Sequence, residues 1–139
     1  MLEKNPDNLK IVYKNFPLRS HAMSLPAAHS ALAAQQQGRF WDFHDKLFSY
    51  ITSPSKKKLD NDELSKIPTE LGLDMPRFLE SIKDPAIDKK IQQDLMEGVK
   101  AGVTGTPTIF INGHRVKNRS LQAIQEMIDQ EVSKSKKAK

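Results

Sequence analysis

Twelve residues near the C-terminal end limit the fold more than any others: Gly102-Val103-Thr104-Gly105-Thr106-Pro107-Thr108-Ile109-Phe110-Ile111-Asn112-Gly113. Gly102 suits a helix stop, and Thr106-Pro107 reads as a turn or loop. Thr108 to Ile111 is β-branched and aromatic, the composition of a strand. Asn112-Gly113 is a strong two-residue hairpin signal, so His114 to Val116 returns as the antiparallel partner. Ser120 then caps a final helix whose Leu121, Ile124, Ile128 and Val132 recur at helical spacing.

Upstream, Lys10 to Phe16 (KIVYKNF) reads as a strand. Ile11, Tyr13 and Asn15 point one way and Val12, Lys14 and Phe16 the other. Pro17 ends it. A long helical block follows. Pro26 suits a first turn, and Ala27 to Gln37 are good helix formers before Gly38. The next helix runs from about Arg39 to Tyr50, with Phe40, Phe43, Leu47, Phe48 and Ile51 on one apolar face. Thr52 to Lys58 is a loop. Asp60 and Glu63 form a capping arrangement for a helix with Leu64, Ile67 and Leu71 inward, which Pro68 should kink or split. Gly72 closes it. Asp74 caps a short helix carrying Phe78, Leu79 and Ile82. Asp84-Pro85 opens a long helix with Ile87, Ile91, Leu95 and Val99 on a slowly drifting stripe. A strand, a helical block, a hairpin and a helix together predict an α/β sheet with an inserted helical subdomain.

The 139 residues suffice for one domain with a core. No apolar run approaches the ~18–20 residues that span a bilayer. Met1 to Leu9 is polar, without the apolar segment of a secretory signal, so the sequence as written predicts a cytoplasmic location. The formal net charge is +5, but four of the lysines lie in the tail Ser133 to Lys139. Residues 133–139 are expected to be a disordered basic tail. Lys56-Lys57-Lys58 is a second cluster, in the loop. The rest is nearly neutral, so no nucleic-acid partner and no membrane are expected.

The chain has no cysteine, which excludes disulfides and Cys-ligated zinc. The four histidines do not fit a metal spacing: His21 and His29 are separated by a proline, His44 is expected to be structural, and His114 to be exposed beside the turn. No metal and no cofactor are expected. Asp42 and Asp45 read as solvent-facing, Trp41 and the phenylalanines as core. No Walker A, G-x-G-x-x-G or G-x-S-x-G pattern occurs.

Three stretches together resemble the DsbA-like family of thioredoxin-fold thiol–disulfide oxidoreductases. They are Lys10 to Leu18, then Ala33 to Phe48 with Gly38-Arg39-Phe40-Trp41-Asp42-Phe43-His44-Asp45, then Gly102 to Gly113. The similarity runs from about Asn5 to Val132. It implies an incomplete thioredoxin-like α/β fold, a single domain over residues 1–132 with a helical insert at about 22–101. In that family a strand and a C-x-x-C helix come before the first stretch. No counterpart is present here, so no catalytic residue is carried over and the chain is expected to be redox-inactive, since disulfide exchange needs a thiolate. The resemblance does carry over Gly105, Thr106 and Pro107, as a loop with a cis proline that docks extended peptide.

In the family the absent strand lies between the strand at Lys10–Phe16 and the strand at Thr108–Ile111. Unpaired edges recruit other chains, so a homodimer or strand-exchanged oligomer is expected. A longer native N-terminus would imply a periplasmic or secreted protein. Two other functional readings stand beside the redox-inactive oxidoreductase relative. One is a redox-independent peptide- or partner-binding module. The other is a truncated relative of a glutathione-dependent thioredoxin-fold transferase or isomerase.

Overall fold

The computed structural model describes residues 2–53 and 59–137. Its elements, in chain order, are a 3-10 turn at Leu2–Lys4, α1 (Ser24–Gln35), α2 (Phe40–Thr52), α3 (Asn61–Glu70), α4 (Met75–Ile82), α5 (Pro85–Lys100), β1 (Phe110–Ile111), β2 (His114–Arg115) and α6 (Leu121–Lys137). They divide into two compact units: residues 14–102, and residues 1–13 with 103–139. The lysine cluster at 56–58 lies outside the described residues.

The helical unit, residues 14–102, is built on caps that the sequence spells out. Asp60 accepts a hydrogen bond from the Glu63 amide at 2.9 Å, and Asp74 from that of Arg77 at 3.0 Å. Asp84 accepts from the Ala86 amide at 2.8 Å. Each satisfies a first-turn donor that the helix leaves open. Gly38 and Gly72 take φ of +73° and +66° just past helix ends, the left-handed conformation glycine adopts cheaply. One apolar core joins Ala31, Ala33 and Ala34 of α1, Phe43 and Leu47 of α2, Ile67 of α3, Phe78 of α4, and Ile87 and Ile91 of α5. The alanines let α1 approach its neighbours closely.

Several expectations for this unit need correction. On α2 only Phe43 and Leu47 are buried, while Trp41, Phe48 and Ile51 are exposed. Phe48 lies five residues from Phe43, roughly 140° around the helix, so the predicted stripe was too wide. Leu79 of α4 is also exposed. On α5 the four-residue spacing drifts by about 40° at each step. Ile87 and Ile91 are buried, Leu95 is half-buried and Val99 is 61% exposed. Pro68 does not split α3, which runs unbroken to Glu70. It removes the single bond its own amide would make to the Leu64 carbonyl, the helix continues two residues past it, and its own carbonyl accepts from the Leu73 amide at 3.0 Å.

The second unit, residues 1–13 with 103–139, contains the hairpin and α6. β1 and β2 pair antiparallel, with Phe110 opposite Arg115 and Ile111 opposite His114. The turn is Asn112-Gly113, both at positive φ as a two-residue hairpin demands. The strands are two residues each, shorter than Thr108–Ile111 and His114–Val116. Asn5 and Gln125 exchange side-chain hydrogen bonds at 3.0 and 3.1 Å, tying the N-terminal turn to α6. Ile128 faces the interior, Ile124 and Val132 are half-buried, and Leu121 is 76% exposed. Leu121 is the first residue of the helix, before its apolar face is established. α6 continues to Lys137, so residues 133–137 of the expected disordered tail are helical.

The largest correction concerns Lys10 to Phe16, which is not a strand. Ile11, Val12 and Tyr13 are 46%, 64% and 41% exposed. Strand-like composition makes a strand only when a neighbour supplies the ladder. Among the described residues the sheet consists of β1 and β2 alone.

Candidate functional site

The loop that leads into β1 brings Gly105, Thr106 and Pro107 together. Thr106 and Pro107 are exposed and Gly105 is half-buried. The Thr106–Pro107 peptide is cis. Thr108 donates from Oγ1 to the Gly105 carbonyl at 2.7 Å, and Arg119 donates from Nη1 to the Pro107 carbonyl at 3.0 Å. The two carbonyls that flank Thr106 are therefore occupied from within the unit. The backbone groups of Thr106 make no hydrogen bond with a described residue. An exposed donor and acceptor between two anchored neighbours can pair with an incoming main chain. The loop contains no thiol, and neither does the rest of the sequence.

The histidines do not converge. His29 Nε2 lies 2.9 Å from Asp88 Oδ1. His44 Nδ1 lies 2.9 Å from Asp45 Oδ1, and its ring packs against Phe48 with centroids 4.5 Å apart and edge-on to Trp41 at 5.4 Å. Trp41, expected in the core, is instead half-exposed on this aromatic face. His21 and His114 are exposed. Among the described residues no group of three His, Asp or Glu side chains could hold a metal ion. Asp42 accepts from Arg39 Nε, and both it and Asp45 are exposed.

One polar cluster escaped the sequence reading. Asp94 on α5 has a fully buried side chain. Its Oδ2 accepts from the Asn15 amide at 3.1 Å and from Asn15 Nδ2 at 3.0 Å. Its Oδ1 accepts from Lys90 Nζ at 2.6 Å and lies 3.3 Å from Lys14 Nζ. Burial pushes the carboxyl pKa up, but the hydrogen bonds from Lys90, Asn15 and Lys14 outweigh it and hold it below the ordinary value. Lys14 also donates to Glu97 at 2.7 Å, which lowers the Glu97 pKa and raises its own. Asp94 thus fastens the chain at Asn15 to α5. It sits beside Leu95 in a periodic apolar stripe, where the sequence marks an acid as outward-facing, and only the fold reveals its partners.

Elsewhere, the Glu63 carboxylate pushes the Tyr50 hydroxyl pKa up to about 12. This links α2 to α3 within the helical unit.

Residues 1–130 match the family model described as thioredoxin. Among solved structures, the chain is similar to a thioredoxin-like oxidoreductase from Silicibacter pomeroyi, with a TM-score of 0.78 and 26% identity over 96% of this chain and 73% of that one. It is also similar to the thiol-disulfide exchange protein alpha-DsbA2 from Wolbachia pipientis, with a TM-score of 0.72 and 28% identity over 86% of this chain and 63% of that one. Among curated proteins it is 32% identical over 124 residues to a Na(+)/H(+) antiporter NhaA of Herminiimonas arsenicoxydans, covering 86% of this chain and 19% of the antiporter. NhaA 3 of Salinispora tropica is 34% identical over 109 residues, covering 78% and 16%. The chain therefore spans less than a fifth of the antiporters it matches. No helix among the described residues is long and apolar enough to cross a membrane.

Proposed function

The chain belongs to the thioredoxin family and is a DsbA-like member of it, and from that premise we propose that it binds extended polypeptide at Gly105-Thr106-Pro107 without exchanging disulfides. Its fold is an incomplete thioredoxin-like one, with a helical insertion and a small two-stranded sheet. The observation that carries the reading is the exposed, unbonded backbone of Thr106 between two anchored carbonyls, in a chain without cysteine. Disulfide exchange begins with attack by a thiolate, and nothing in these residues supplies one.

A titration of the 139-residue chain with a fluorescent, cysteine-free unfolded peptide tests the reading. Binding is expected, and dithiothreitol leaves it unchanged. Thr106→Pro, which removes the amide donor, weakens it about tenfold, the worth of one main-chain hydrogen bond. Thr106→Ala, which keeps the amide, has little effect. Equal binding by Thr106→Pro overturns the reading. Displacement of the peptide by glutathione overturns it in favour of a glutathione-dependent relative.

A second reading is that the same loop holds a folded partner protein. In those relatives the matching region is a small part of a far longer chain. Saturable binding of a folded partner that fails with unfolded peptide would select it.

A further inference from the structure

The side chains around the proline loop carry charge of one sign. From Val103 to Gln125 the chain has Arg115, Lys117 and Arg119 and no acidic residue. Residues 115–119 run back along 107–110 and are fastened there. Arg115 lies opposite Phe110, the Val116 amide donates to the Ile109 carbonyl at 2.9 Å, and Arg119 Nη1 donates to the Pro107 carbonyl at 3.0 Å. Lys117 stands between these anchors. Val116 is buried, while Arg115, Lys117 and Arg119 are exposed.

Arg119 is the cation that touches the loop itself. A guanidinium carries a planar fork of N–H donors. Those not used on Pro107 have no acceptor among the described residues. The bond to the Pro107 carbonyl holds the group in place, so little side-chain freedom is left to lose when a ligand arrives. A carboxylate fits two parallel N–H donors of such a fork.

The acids on α6 leave this charge unanswered. Glu126 and Asp129 accept from Gln122 and Gln125 of the same helix at 2.9 Å each. Glu131 accepts from Asn112 Nδ2 at 3.1 Å and from Lys134 Nζ at 2.6 Å. Neither Lys117 nor Arg119 forms an ion pair with a described residue.

We infer that Arg119 makes the proline loop selective for acidic polypeptide: an extended peptide paired with the Thr106 backbone offers a carboxylate side chain to the open donors of Arg119, with Lys117 beside it to attract a second acid. This rests on the reading of the loop as a polypeptide site. The Thr106 N–H and C=O favour a peptide over a nucleic acid. A peptide main chain supplies both a donor and an acceptor, whereas a DNA phosphodiester chain supplies acceptors alone.

The test is fluorescence anisotropy with the full chain and three labelled, end-capped nonapeptides of serine, threonine and valine. They differ at two positions, which are both glutamate, both glutamine or both lysine. At low salt the glutamate version should bind about fivefold more tightly than the glutamine version, the range of an exposed ion pair, and the lysine version more weakly than either. At about 1 M salt the preference should shrink below about twofold. Arg119→Gln removes the charge but keeps an amide that can donate to the Pro107 carbonyl. It should bring the glutamate and glutamine versions within about twofold of each other and leave the glutamine version's affinity near that of wild type. Lys136→Gln removes the same charge near the other end of α6, roughly 24 Å along the helix, and should keep the preference.

Thr106→Pro separates the two ideas, since it should weaken all three versions about tenfold. If wild type binds the glutamate and glutamine versions equally while Thr106→Pro still weakens both, the selectivity is overturned and the loop reading stands. If Thr106→Pro changes nothing, or no version binds, both are overturned. Equal weakening of the glutamate and glutamine versions by Arg119→Gln overturns the selectivity, because Arg119 then only braces the loop. A single-stranded oligothymidylate of about nine nucleotides that binds more tightly than the glutamate peptide, and loses affinity in Arg119→Gln, also overturns it, because the cations then serve phosphates.

Discussion

The helical unit and the hairpin unit carry similar residue types yet hold themselves together differently. All thirteen side chains of the contiguous buried cluster lie between Ala27 and Ile91, in the helical unit. In the hairpin unit, Val116 and Ile128 are the buried apolar side chains among the described residues. A helix closes its own backbone bonds and needs only one apolar stripe covered. A strand depends on a neighbour for both backbone and side chains. Both units expose apolar side chains, Trp41, Ile51, Leu79 and Val99 in the helical one and Ile11, Val12 and Phe110 in the other, but only the helical unit has a contiguous buried cluster among the described residues.

Substitutions sharpen the contrast. Phe43→Ala removes a fully buried ring from the helical core and should cost about 4 kcal/mol, read by denaturant unfolding. Ile128→Ala in the hairpin unit should cost about 2 kcal/mol, because fewer packed neighbours surround it and the site can relax. Equal costs would break the comparison.

Asp94→Ala should cost about 3 kcal/mol, since it leaves the Asn15 amide and Lys90 without their buried acceptor. Its pH dependence has a definite sign. A carboxyl pKa lowered on folding adds stability that is present above the unfolded value and is lost as pH falls through the folded one. The ordinary value for an aspartate is 3.8. The wild type should therefore lose stability as pH drops below about 4, and Asp94→Asn should lack that component in acid melts. Glu97 adds less, because it is exposed and screened. A wild type with flat acid stability would show that Asp94 gains nothing from its partners. At the small end, Phe48→Ala should change stability by less than about 0.5 kcal/mol, because its ring packs against His44 at an exposed face. A larger loss would mean that this face belongs to the core.

The same division explains what the sequence reveals. Asp60, Asp74 and Asp84 announce their helices through local hydrogen bonds, and Asn112-Gly113 announces its turn through local backbone geometry. All four were legible. Lys10 to Phe16 has the composition of a strand, but composition carries no information about whether a neighbour is present. Asp94 was illegible for the same reason: its partners Asn15 and Lys14 are about eighty residues away. The loop at Gly105-Thr106-Pro107 could be singled out by resemblance. The free backbone of Thr106 emerges only from where the Thr108 and Arg119 side chains go.

The most direct test of the central claim, that this chain docks polypeptide through Thr106 without redox chemistry, is amide hydrogen exchange resolved by residue, with and without a cysteine-free peptide. The account predicts that the Thr106 amide exchanges fast in the free chain and slows on peptide addition, equally in oxidising and reducing buffer. A Thr106 amide that exchanges at the same rate with saturating peptide present would contradict it.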